Sequence, residues 1–360
     1  MIFPVHRDRE AILMDWKYHK FPSILAIIAA MNELTGFFLS AVFGFVPMFL
    51  LAAIIYWLDR YEKEPKALLG GVFSWGAIVA VIGALVLQIL LGQGVLMLTG
   101  SEALEEMAGS SLFAPVTEEV LKGLAVLLVF LLARNEFDSI LDGIVYASVT
   151  ALGFAATEDV LYYFSSYVEE GISGLLLLVF LRFVIFGWQH AFFTSFIGIG
   201  LAVARHSKNV LVQVGAPLLG LSIAIFTHSL HNSLLTFLSG AVGLVAAVFV
   251  AWTGWIFMFL FIVWLIYREK QWLGEYLREE VDRQTITQQQ YALACSMFGQ
   301  SRARLAAMGR GSFRSTVRFF QLCAELAHKK RQMATMGDEN GNAAIIENLR
   351  SELGKMSASL

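Results

Sequence analysis

The chain has 360 residues, of which 57% are hydrophobic and 15% charged, with a formal net charge of −3. Soluble globular chains are roughly 45–50% apolar and about 25% charged. That excludes an ordinary soluble protein and predicts a polytopic membrane protein with the lipid bilayer as its surroundings and no nucleic-acid partner.

Residues 1–34 are mixed and basic (HRDRE, DWKYHK), and their short apolar piece FPSILAIIAA cannot span a bilayer. They lack the early apolar core and small-residue cleavage site of a signal peptide. The segment MNELTGFFLS reads as a natural protein start at Met31, so residues 1–34 are set apart as an N-terminal extension. From there hydropathy predicts seven membrane helices near 36–58, 67–98, 113–133, 138–164, 174–204, 211–238 and 241–267, each around the ~20 residues a crossing needs. These make up a transmembrane domain over residues 35–267.

The loops set the orientation. DRYEKEPK, RNEFD, RHSKN and the REK after the last span carry the short-loop Lys and Arg, whereas TGSEALEEMAGSS, SYVEEGISG and LSG carry none. The positive-inside rule places the first set, and the C-terminus, in the cytoplasm. Residues 268–360 read as a helical cytosolic region, with Val317, Phe320, Ala324 and Ala327 at helical spacing and breaks at Gly309–Ser312 and Gly337–Asn342. The Lys329–Arg331 run reads as a solvated face. Both cysteines, Cys295 and Cys323, lie here, so no disulfide or cysteine-based metal site is available to the membrane domain.

The informative residues are those that do not belong in lipid, where a charge costs at least ~2.5–3.5 kcal/mol at mid-helix. In FAPVTEEVLK, Glu118 and Lys122 stand at i, i+4 in the favourable order, and Glu119 points about 100° away, free for another partner. The other spans add Glu158 and Asp159, Arg182 and His190, then His228, His231 and Asn232. At 1.5 Å per residue, Glu118 lies about 8 Å below the outer surface; Glu158, His228 and Asn232 fall at similar depth, as does His190 if Arg182 marks the interface. Four helices thus bring carboxylates and imidazoles to one level in the outer half of the membrane. Asp159 reads as interfacial, Arg182 as a snorkelling anchor or electrostatic support, and His228 with Asn232 as a pair aimed at a common target.

Such a set suits hydrolysis by activated water. A Glu beside imidazoles can deprotonate water, and Asn and His can donate to the oxyanion formed on attack. Alternatively, His190, His228 and a carboxylate such as Glu158 can hold a zinc ion with an open position. No HExxH helix and no Ser–His arrangement is present.

EEVLK (118–122), FAATE (154–158), FGWQH (186–190) and HSLHN (228–232) resemble, in order, the EExxK, FxxxE, FxxxH and HxxxN series of the PrsW family of intramembrane proteases, within the superfamily of CAAX-processing and bacteriocin-processing glutamic membrane proteases. DRYEKEP (59–65) resembles a further stretch of that family. The resemblance implies an all-α membrane fold and peptide-bond hydrolysis, with Glu118 as the base and Glu119, Glu158, His190, His228 and Asn232 completing the catalytic set; Lys122, His231 and Arg182 are expected in support. Glu158 departs from the His of the prenyl-protein-processing branch. Relatives favour a metal-free glutamate mechanism over zinc, and the expected substrate is a membrane-anchored protein, such as an anti-sigma factor, cut near its extracytoplasmic side. The implied location is the bacterial plasma membrane. A proton-coupled transporter or channel, or a non-catalytic receptor or scaffold, are the alternative readings of buried charge; no internal repeat of the kind transporters show is visible.

Overall fold

In a computed structural model, described for residues 24–61, 63–238, 240–338 and 341–359, the chain is all-α, with no strand among those residues. Residues 1–23, the bulk of the expected extension, lie outside the described set.

Helix α1 is Ile24–Leu58. The next pass joins α2 (Lys66–Ser74), a π-helical turn at Trp75–Ala80 and α3 (Val81–Thr99), and stops at Gly100 in the left-handed conformation, φ 65°. After α4 (Glu102–Ala108) and a second π-helical turn, Gly109–Phe113, comes α5 (Ala114–Leu132). Helix α6 (Ile140–Val179) starts at a capping box formed by Ser139 and Asp142, which satisfies two of the orphan backbone donors of a helix start. A third π-helical turn, Phe180–Ile185, leads through a tight turn to α7 (Gln189–Arg205), then α8 (Val210–Phe237) and α9 (Gly240–Asp282). The polar C-terminal region folds as α10 (Gln288–Ala294), α11 (Met297–Gly309), α12 (Phe313–Met336) and α13 (Asn342–Ser357).

Among the described residues five stretches are long and apolar enough to cross a bilayer: Asn32–Leu58, Lys66–Thr99, Ile140–Arg205, Val210–Phe237 and Gly240–Asp282. The seven expected passes differ from these five for two physical reasons. Helix α5 has the length but carries Glu118, Glu119 and Lys122. The 66-residue stretch Ile140–Arg205 doubles back on itself at Gly171, where φ 70° and ψ −157° leave the helix. Contacts on either side of this turn run antiparallel: Asp159 meets Arg182, Glu158 meets His190, and Ser148 Oγ lies 3.2 Å from Ser195 Oγ.

Backbones touch where glycine allows it. A Cβ on Gly198 would come 2.0 Å from Gly143 O, and one on Gly153 would come 2.1 Å from Phe73 O. In lipid, helices gain little from burying apolar surface against one another, so close packing through small residues supplies the attraction. Leu90, Leu98 and Phe249 stay exposed on the outside, as a lipid-facing surface requires.

At the end of the bundle away from the buried charges, DRYEKEP ties three helices together. Asp59 is buried and accepts from Glu64 N at 3.2 Å, Lys63 Nζ donates to the carbonyls of Tyr56 and Asp59, and Glu64 accepts from Tyr146 Oη. The C-terminal helices pack on this same end. Helix α9 runs on without a break into that layer. The Lys329–Arg331 run does not form a solvated face: Lys329 is buried with Nζ 2.5 Å from Asp138 Oδ2, Lys330 bonds Glu279 and Glu280, and Arg331 lies over the Trp272 ring. Sequence periodicity could not anticipate this, because the acidic partners Asp138 and Glu280 lie on distant elements.

Candidate active site

Helix α5 carries the site's charges at consecutive turns. Glu118, Glu119 and Lys122 are all buried, the last two completely. Lys122 Nζ lies 3.3 Å from Glu118 Oε2 and 2.8 Å from Glu119 Oε1, and 4.2 Å above the centre of the Phe154 ring. Residues three and four apart are both neighbours on a helix face, so one ammonium reaches both carboxylates. Glu119 is therefore not free, as its angular offset from Glu118 suggested. It also accepts from Thr194 Oγ1 at 2.8 Å and lies 3.0 Å from His228 Nδ1.

Glu118 is held from the other side. Gln88 Nε2, on α3, lies 3.4 Å from Glu118 Oε1 and 3.3 Å from Thr117 Oγ1. The second Glu118 oxygen faces His228 Nε2 at 3.9 Å. Neither Gln88 nor Thr194 stood out in the sequence. A lone amide in the apolar run VLQILL was a readable signal for Gln88; a threonine in a membrane helix carries none.

The tight turn after Phe180–Ile185 breaks the fifth expected span and places His190 as the second residue of α7. Its Nδ1 lies 3.2 Å from Lys122 Nζ and its Nε2 3.0 Å from Glu158 Oε2. The His190 and His228 rings meet edge to face, centroids 5.4 Å apart, and Phe193 stacks on His228 at 4.6 Å. π-Helical turns are frequent at functional sites, and each of the three among the described residues touches groups of this cluster. Trp75 Nε1 donates to Leu121 O at 3.0 Å, and Ser110 O accepts from Asn232 Nδ2 at 2.9 Å.

Arg182, from the third π-helical turn, bridges Glu158 and Asp159 at 2.5 Å each and rests on the Tyr162 ring. Its guanidinium is thus turned inward, onto two carboxylates of α6. Asp159, expected at the interface, is 2% exposed and accepts from that guanidinium and, at 3.3 Å, from Tyr163 Oη. His228 and Asn232 do not point at one target: the first faces Glu119 and the second is bonded to Ser110 O. Both nevertheless line, with Glu158, Arg182, His190 and His231, a cavity of about 380 Å³. Within it His231 packs edge-on to Phe186 at 4.9 Å, and its buried Nδ1 has no partner.

Breaking a buried ion pair costs about 3–5 kcal/mol, so a cluster of this kind is held together as a unit. Its donor chemistry also bears on a metal. Glu118, His190 and His228 each offer a ligand atom within 4.8 Å of the others, and two imidazoles with one carboxylate are the protein ligands of hydrolytic zinc sites. The trio includes Glu118 where the sequence suggested Glu158.

A buried carboxylate–imidazole cluster beside a cavity, inside an all-helical membrane bundle, defines the class of intramembrane hydrolases. A sequence model of the family described as PrsW family intramembrane metalloprotease matches residues 64–265, and the chain belongs to that family; it is a peptidase of the membrane. Protease PrsW of Geobacillus kaustophilus (strain HTA426) is 28% identical over 193 residues, covering 53% of this chain and 77% of that protein. Protease PrsW of Bacillus subtilis (strain 168) is 29% identical over 201 residues, 54% and 82% of the two chains. Protease PrsW of Clostridioides difficile (strain 630) is 35% identical over 127 residues, 33% and 51%. No solved structure matches the chain.

Proposed function

We propose that this chain is an intramembrane endopeptidase in which Glu118 activates water for attack on a peptide bond of a membrane-anchored protein. The observation that carries the reading is the 3.9 Å gap between Glu118 Oε2 and His228 Nε2. With Nδ1–H of His228 donating to Glu119, its Nε2 lone pair and the Glu118 carboxylate accept the two protons of a single bridging water. That turns the water's own lone pairs outward, toward a carbonyl carbon. Glu118 takes one proton as the bond forms and returns it to the leaving amine. His231 Nδ1, buried without a partner, and the Asn232 amide are the cavity's donors for the oxyanion.

Glu118, His190 and His228 would hold a zinc ion, which when bound supplies Lewis acidity toward water or the scissile carbonyl. Against this, Lys122 Nζ already bonds Glu118 and His190, so an ammonium competes for two of the three donors. We therefore favour the metal-free glutamate route. The basic loops support a cytoplasmic C-terminal region in a bacterial plasma membrane, with cleavage toward the extracytoplasmic side; an anti-sigma factor fits that substrate class.

The test is cleavage of a co-expressed single-span substrate by wild type and Glu118→Gln, with metal content measured on both purified proteins. Loss of about 100-fold or more in the variant, with wild type active and free of stoichiometric metal, is the expected result. Undiminished cleavage by the variant rejects the base assignment. One zinc per active chain replaces the metal-free route with metal-assisted hydrolysis.

A further inference from the structure

At the opposite end of the bundle from the buried cluster lies a second cavity, of about 320 Å³, that the proteolytic reading does not use. Its wall comes from the start of α6, the end of α7, the first turn of α8, residues 265–272 within α9, and α12. Three charged side chains line it: Arg268, Glu269 and Arg331.

The two guanidinium groups share one indole. Arg331 Cζ lies 3.2 Å and Arg268 Cζ 5.0 Å from the centre of the Trp272 ring. Among the described residues neither arginine makes an ion pair. Two unpaired guanidinium groups held on one aromatic platform are a phosphate-binding arrangement, since the planar fork matches phosphate oxygens and stacking restricts it.

Glu269 adds the complement. It is 4% exposed, its Oε1 lies 3.1 Å from His328 Nε2, and its buried Oε2 has no hydrogen-bond partner among the described residues. A buried carboxylate oxygen without a donor is costly, and it calls for an N–H brought by a ligand. A second negative charge would be repelled there, and a quaternary ammonium has no N–H to give.

The depth of the cavity indicates where such a ligand comes from. The apolar run of α9 gives way at Tyr267 and Arg268, with Trp264 and Tyr267 exposed on the outer face. Aromatic rings beside a basic residue at the end of a span mark the headgroup level of a bilayer. Basic pockets between helices on the cytoplasmic side are suited to lipid headgroups.

We infer that this cavity binds the headgroup of an amino-phospholipid, its phosphate on Arg268 and Arg331 and its primary ammonium on Glu269.

The experiment uses the full-length protein in mixed micelles holding equal amounts of phosphatidylethanolamine, phosphatidylcholine and phosphatidylglycerol with the same acyl chains. Lipid retained on the protein is counted by native mass spectrometry. The expected result is at least a five-fold preference for phosphatidylethanolamine over both others. In Glu269→Gln the preference over phosphatidylglycerol falls below two-fold, and in the double variant Arg268→Gln/Arg331→Gln retention of all three drops at least five-fold. Equal retention of the three lipids by wild type, or an unchanged preference in Glu269→Gln, overturns the inference. If the double variant does not fold, the selectivity of the single variant still decides. Displacement of the bound lipid by O-phosphoethanolamine at micromolar concentration assigns the same phosphate-and-amine chemistry to a soluble ligand; resistance to it assigns the site to the membrane.

Discussion

His228 Nδ1 lies 3.0 Å from Glu119 Oε1, joining α8 to α5 across the centre of the bundle. That bond fixes which imidazole nitrogen carries the proton and therefore what faces Glu118. Glu119 itself is spent on Lys122, Thr194 and His228. Glu118, by contrast, turns its Oε2 to His228 Nε2 at 3.9 Å while meeting Lys122 Nζ at 3.3 Å.

Thr194 acts through Glu119 alone. Thr194→Val keeps the shape and removes one hydrogen bond, a loss of roughly 1 kcal/mol in stability. Cleavage kinetics are expected to show kcat reduced several-fold with KM unchanged, and Thr194→Ser is expected to restore it. Equal kcat for valine and threonine would show that Glu119 needs no help in orienting His228.

The two glutamates are expected to separate in thermal unfolding of the purified protein. Glu119→Gln removes the closer partner of a fully buried ammonium, and breaking such a pair costs about 3–5 kcal/mol. Glu118→Gln leaves Lys122 its 2.8 Å contact with Glu119, so it unfolds at a temperature much nearer wild type. The opposite order would place the structural charge on Glu118.

Gly198 sits at one of the tight helix crossings of the bundle. Any Cβ there meets Gly143 O at 2.0 Å, and the obstruction is backbone that cannot rotate away. Gly198→Ala is expected to destabilise by about 1–3 kcal/mol, read as a lower unfolding temperature. An alanine variant as stable as wild type would mean that α6 and α7 are free to slide apart.

Lys63, in the loop between α1 and α2, gives a pH signature. Burial pulls its ammonium down to about 8, against the partial opposition of Asp59. An unfolded lysine titrates near 10.4, so between those values the unfolded chain binds more protons. Stability contributed at this position therefore rises as pH climbs from about 8 to about 10.4 and is flat below. The difference in unfolding temperature between wild type and Lys63→Met, followed across that range, is expected to move in favour of wild type. A flat difference would show that Lys63 titrates as it does in water.

Much of this was legible in the residues. Charges and imidazoles in apolar runs are expensive, so Glu118, Glu119, Lys122, Glu158, His190 and His228 announced themselves, and loop arithmetic put them at one depth. The phenylalanines of FAATE and FGWQH gave no such sign, yet Phe154 lies under Lys122 and Phe186 against His231. Their roles depend on which foreign side chain arrives over the ring.

Hydropathy and charge cost determined the class of this protein, its helices, and which polar residues are gathered away from lipid, because those follow from transfer energies that each residue carries with it. What only the tertiary structure decided is how the gathered groups divide among themselves. Lys122 reaches two carboxylates because α5 is helical at both spacings, Arg182 claims Glu158 because the chain reverses at Gly171, and His190 enters the cluster because a tight turn at residues 186–188 restarts its helix. Partner choice is set by distances of about 3 Å between separate helices, and no linear pattern encodes those.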